Sequence, residues 1–178
     1  PAQADADSDE VGDACDATPR GTTPPLITVA LVTVNATGPS GALVNYTATA
    51  TDDLDGARPV TCIPAAGQFA IGATTVACTA TDTVGNTANA SFVVTVRGAS
   101  DQLTDLRTAV DGIGPGYSLI NKISDVQAAL LDNDVPGACS ILSAFVNEVQ
   151  AQSGKKIPAG TAASLVADAT RIRAVLAC

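Results

Sequence analysis

The spacing of apolar residues changes once along this chain, near residue 98, and that change constrains the fold more than any other feature. Before it, apolar and polar residues alternate in short runs at 27–29, 32–34, 44–47, 75–79 and 92–96. A period of two is that of strands with one buried face. After it come four stripes: Leu103, Leu106 and Val110; Leu119, Ile123, Val126 and Leu130; Ala138, Ile141, Leu142, Phe145 and Val149; Leu165, Val166, Ala169, Ile172, Val175 and Leu176. Recurrence every three or four positions is that of helices with one apolar face.

Pro24-Pro25, Gly38-Pro39, Asp55-Gly56, Gly72 and Gly85-Asn86 interrupt the strand region at short intervals. Six or seven short strands between them predict a small antiparallel β-sandwich. Short connections make the sequential helices antiparallel neighbours. The first 20 residues follow neither period. They carry six acids (Asp5, Asp7, Asp9, Glu10, Asp13, Asp16) against Arg20, a net of -5 within a chain total of -9. The expected organisation is multidomain β + α: an acidic segment over 1–20, a β-sandwich over 21–98 and a four-helix module over 99–178. The linker would be short, about 98–100, with Ser100 or Asp101 capping the first helix.

Composition limits how such modules hold together. Aromatics are 3% of the residues, and Trp, Met and His are absent. The cores must be built from Ala, Val, Leu and Ile, and cross-links would help them. Cys62 and Cys78 each lie in a strand-like run, and joining them closes a loop that stabilises by roughly 3 kcal/mol in the chain-entropy model; two buried free thiols is the competing reading. Cys139 opens the third helix and Cys178 ends the fourth. In an antiparallel hairpin those ends meet, so a bond between them would staple the C-terminus. Cys15 is left over, free or paired with another molecule. Cysteines without histidine point to disulfides and an oxidising compartment rather than to zinc.

The same composition excludes functions. Without His there is no Ser-His-Asp or Cys-His nucleophile. The acidic balance, with no basic stripe, disfavours nucleic acid, and no apolar run approaches the roughly 20 residues a membrane helix needs. The start at Pro1, with no charged-then-apolar leader, reads as a processed one. Asp52, Asp53, Asp55 and Asp82 lie in turn-like segments, read mainly as solvated turn acids and secondarily as a further calcium site.

Residues 5–16 hold the one constellation with chemistry. Carboxylates fall at positions 1, 3, 5, 9 and 12 (Asp5, Asp7, Asp9, Asp13, Asp16), and Val11 at position 7 can offer its carbonyl. That is the spacing of a twelve-residue calcium loop, in which alternate residues converge on a hard cation. Position 6, normally Gly for a sharp turn, is Glu10. The competing reading is a disordered acidic tail.

These residues, with Gly12 and Cys15, resemble a thrombospondin type 3 repeat. The resemblance implies calcium ligation by Asp5, Asp7, Asp9, Asp13 and Asp16, and a Cys15 without its usual partner. Thr23-Pro24-Pro25, Ala36-Thr37-Gly38-Pro39, Ala50-Thr51-Asp52, Pro59-Val60-Thr61-Cys62, Val76-Ala77-Cys78-Thr79-Ala80-Thr81-Asp82 and Gly85-Asn86 make residues 22–97 similar to a hyalin repeat. That family implies an Ig-like extracellular module, a Cys62–Cys78 bond and adhesion rather than catalysis. Ala144-Phe145-Val146, Val149-Gln150-Ala151-Gln152-Ser153-Gly154-Lys155-Lys156 and Ile172-Arg173-Ala174-Val175-Leu176-Ala177-Cys178 make 101–178 similar to the FIMAH helical module of bacterial secreted proteins.

The expected function is a non-enzymatic structural or adhesion module of a bacterial secreted or surface protein. It would bind calcium at its N-terminal segment and a protein or glycan at the cell surface. The alternative is a self-assembling fibre subunit whose copies meet through Cys15 or the N-terminal segment. A remote alternative is a glycan-active enzyme using a carboxylate pair such as Asp53 and Asp82.

Overall fold

The computed structural model describes residues 3–5, 10–15, 21–114 and 117–178. Its order is β-sheets followed by four helices. Among the described residues nine strands occur: β1 (Leu26–Thr28), β2 (Val32–Asn35), β3 (Ala42–Val44), β4 (Thr49–Asp52), β5 (Gly56–Arg58), β6 (Val60–Ile63), β7 (Gly67–Phe69), β8 (Gly72–Thr81) and β9 (Thr87–Arg97). They form sheets of order β1-β4-β5, β2-β9-β8-β6 and β3-β7. Two expectations change here. The strands number nine rather than six or seven, and the run 44–47 leaves the strand conformation after Val44.

The two-residue period appears as alternate burial. Val76, Cys78 and Ala80 of β8 are buried between exposed Thr75, Ala77, Thr79 and Thr81, and Phe92, Val94 and Val96 of β9 are buried likewise. Tyr46 meets Phe92 edge to face at 4.9 Å, and its hydroxyl donates to the Pro64 carbonyl at 2.5 Å. Gly41 has φ +104, and a Cβ there would fall 1.9 Å from the Phe69 carbonyl oxygen, so only glycine fits.

The helices are α1 (Ala99–Ala109), α2 (Ser118–Leu131), α3 (Val135–Gln152) and α4 (Ala159–Val175). Their buried residues form one core, which includes Leu103, Leu106, Leu119, Ile123, Leu142, Phe145, Val149, Leu165 and Ile172. Ile157, on the connection into α4, is also fully buried there. Asp134 caps α3 by accepting from the Gly137 amide at 2.9 Å, with Pro136 in the first turn. The start of α1 differs from expectation. The helix begins at Ala99 with Gly98 as its cap, so neither Ser100 nor Asp101 occupies that place. Cys178 lies just past the end of α4 rather than within it.

The molecule divides into two compact units. One comprises the described residues of Pro1–Val32 with Asn45–Gly67 and Thr74–Val94; the other comprises Thr33–Val44, Gln68–Ala73 and Thr95–Cys178. Within the second unit the buried amide of Gln102 donates to the Ala36 and Arg97 carbonyls at 3.1 and 3.0 Å. Its oxygen accepts from Arg171 Nε at 2.7 Å, and Arg171 in turn pairs with Asp168 at 2.8 Å. A buried amide with all these partners satisfied is one the interior tolerates.

Candidate functional site

Of the expected calcium ligands, Asp5, Val11 and Asp13 are described; Asp7, Asp9 and Asp16 lie outside the described residues. The described part closes on itself. The Asp13 amide donates to the Ala4 carbonyl at 2.7 Å, and the Glu10 amide to Asp5 Oδ2 at 3.1 Å. Asp5 Oδ1 is buried and accepts no hydrogen bond from the described residues. A buried carboxylate oxygen with no donor is what a cation or a water would satisfy. Glu10 has φ +73, so position 6 takes the left-handed conformation that a sharp turn requires. For a residue with a side chain this costs roughly 1–2 kcal/mol. Position 6 is thus left-handed without the glycine expected there. Among the described residues no group of three or more Asp, Glu or Cys is close enough to hold a metal ion.

The cysteines divide two, two and one. Cys62 and Cys78 are joined, and they face each other directly in the antiparallel register of β6 and β8. Cys139, in the second turn of α3, is joined to Cys178 with Cα atoms 5.6 Å apart. Cys15 is exposed and free.

The turn acids work as local caps. Asp82 Oδ1 accepts from the amides of Val84, Gly85 and Asn86, and Oδ2 from the Asn86 side chain at 2.6 Å. Burial raises this carboxyl, but the Asn86 side-chain and three amide bonds outweigh it and hold it below the ordinary carboxylate value. Asp52 Oδ1 accepts in the same way from Leu54 and Asp55, while its buried Oδ2 has no donor among the described residues. Asp55 accepts from the Thr83 amide and hydroxyl, both at 2.7 Å to Oδ2, which ties the β4–β5 turn to the β8–β9 turn. Asp53 is exposed on the first of these turns. With its carboxylate taken by four donors from its own turn, Asp82 caps the β8–β9 turn.

The residues that sequence reasoning missed are polar ones on otherwise apolar faces. Gln102 lies one turn before Leu106 on the buried side of α1. Its position in that stripe was the signal, although its partners were not readable from the chain. Glu148 and Lys122 pair at 2.6 Å between α3 and α2, and Ser118 donates to the same carboxylate at 3.0 Å. Burial raises Glu148, but Lys122 and Ser118 bring it below the usual value.

A strand region with self-capped turns and a cross-strand disulfide, joined to a disulfide-closed set of helices, has the build of an extracellular module. Residues 20–96 match the HYR domain family, the hyalin repeat, whose members are adhesion-type domains of extracellular proteins. No curated protein and no solved structure matches the chain. Among the described residues no helix is long and apolar enough to cross a membrane.

Proposed function

We propose that this chain is a non-enzymatic structural or adhesion part of a bacterial secreted or surface protein. Its strand region would be an Ig-like β-sandwich, its N-terminal segment a single thrombospondin type 3-like calcium loop, and residues 99–178 a FIMAH-like module. The observation that carries the reading is the HYR match over 20–96. The two disulfides, formed in a chain whose cores are poor in aromatic residues, support an oxidising exterior.

For calcium, the support is the left-handed Glu10 and the donorless Asp5 Oδ1. Asp5, Asp7, Asp9, Asp13 and Asp16 would supply carboxylates and Val11 a carbonyl. The exposed thiol of Cys15 favours a second reading, in which copies are joined through that residue.

Three measurements test these readings. Mass spectrometry after alkylation without reductant should find four cysteines protected and Cys15 either alkylated or bound to another molecule. Five alkylated cysteines would remove the extracellular assignment. Calorimetry of the whole chain should show saturable calcium binding that disappears on replacing Asp5 and Asp9 by Ala; a flat titration of the unaltered chain removes the ion. Reductant-sensitive dimers or ladders on a gel would select the fibre reading.

A further inference from the structure

Arg58 is the only Lys or Arg between residues 21 and 96. The β6–β8 register sets Val60 opposite Ala80, so the next step sets Pro59 opposite Thr81. Proline has no amide hydrogen to donate. The Thr81 carbonyl takes its hydrogen bond from Arg58 Nε instead, at 3.2 Å. That bond anchors the guanidinium through one nitrogen. No carboxylate, and no other group among the described residues, partners its two Nη groups.

Arg58 lines an open groove of about 280 Å³ with Pro59, Thr61, Thr79, Ala80 and Thr81. Two of the three hydroxyls are held in place. Thr79 donates to Asn89 Oδ1 at 3.0 Å, and Thr81 and Thr87 share a hydrogen bond at 3.0 Å. Thr61, across the sheet from Thr79, has a free hydroxyl among the described residues. A guanidinium with two open Nη groups takes both oxygens of a carboxylate. Positioned hydroxyls beside it match the hydroxyls of a sugar ring, and little of their ordering remains to be done on binding. The lining has no large apolar pocket to seat a peptide side chain.

We propose that this groove binds a carboxylate-bearing sugar residue of an acidic polysaccharide. This names a partner class for the extracellular reading above and rests on it. The net charge of -9 repels a polyanion at long range. At 0.15 M salt that field is screened beyond about 8 Å, while contact at Arg58 remains.

The test is binding of the whole chain, in 0.15 M salt, to polygalacturonate, with neutral dextran and polyglutamate as comparators. The unaltered chain should bind polygalacturonate and neither comparator. Arg58→Gln should weaken binding about tenfold or more, the loss expected for a charge-assisted pair of hydrogen bonds. Thr61→Val, which leaves the Arg58–Thr81 bond in place, should weaken it severalfold with an unchanged melting temperature. Arg107→Gln, an equal loss of charge on α1, should leave binding unaltered. The proposal is overturned if the unaltered chain does not bind polygalacturonate, or if both groove variants keep full affinity. Equal binding to dextran, or tighter binding to polyglutamate, overturns it too, the latter in favour of an acidic peptide. None of these results touches the alkylation pattern that tests the extracellular reading.

Discussion

Gln102 lies on the buried side of α1, where its amide joins the Ala36 and Arg97 carbonyls to the Arg171 guanidinium. Replacing it by Ala strips the buried Ala36 carbonyl of this donor and Arg171 Nε of its acceptor, while the Arg97 carbonyl keeps the Ala36 amide at 2.9 Å. At roughly 1–3 kcal/mol for each buried group left unsatisfied, urea unfolding should show a loss of about 2–4 kcal/mol. A change within about 0.5 kcal/mol, the usual range for an ordinary surface substitution, would mean that water replaces the amide freely. The residue scale is also where sequence reading was weakest. The left-handed turn at Glu10 and the Arg58 bond to Thr81 depend on groups brought together by the backbone, and residue type alone does not announce them.

Among the elements, all four helices and their apolar stripes were legible, because a 3.6-residue period persists over 11 to 18 residues. Strands β3, β5 and β7 are three residues each, too short to display a period of two. β5 and β7 also begin with Gly, which sequence reading takes for a turn. The helix ends moved by a few residues, since Gly98 caps through backbone geometry alone. At the far end, the bond between Cys139 and Cys178, 39 residues apart, closes the α3–α4 pair. Serine at both positions should cost about 4 kcal/mol in the chain-entropy model. Amide exchange should then accelerate most in the last turn of α4; protection unchanged there would show that packing alone holds the terminus.

For the whole molecule, the absence of histidine and the lowered carboxyls set the response to pH. Asp82, Asp105 and Glu148 titrate below their ordinary values in the folded chain: Asp82 and Glu148 as described above, and Asp105 through its hydrogen bond with Arg97. A depressed folded value contributes stability that is complete above the unfolded value and is lost as pH falls through the folded one. Arg97 has the opposite shift, raised by Asp105, so its guanidinium stays charged across this range and the pair is lost from the acid side, as Asp105 protonates. The melting temperature in calcium-free buffer should stay level from pH 6 to 8 and fall as pH drops through about 4, and Glu148→Gln should shrink that fall. A fall centred near pH 6.5 would contradict the assignment, since no side chain of that ordinary value exists here.

The chain's own order of residues determined that strands precede helices, which faces are apolar, and that cross-links would help cores poor in large rings. Those properties follow from local period and composition, which no folding partner can alter. Tertiary structure alone decided that Gln102 bridges a strand-region carbonyl to α4, that Asp55 clasps Thr83, and that Arg58 faces a groove of threonines. Each of these joins residues 20 or more positions apart. A hydrogen bond at that separation is set by where the backbone has already carried its two ends, and no periodicity records it.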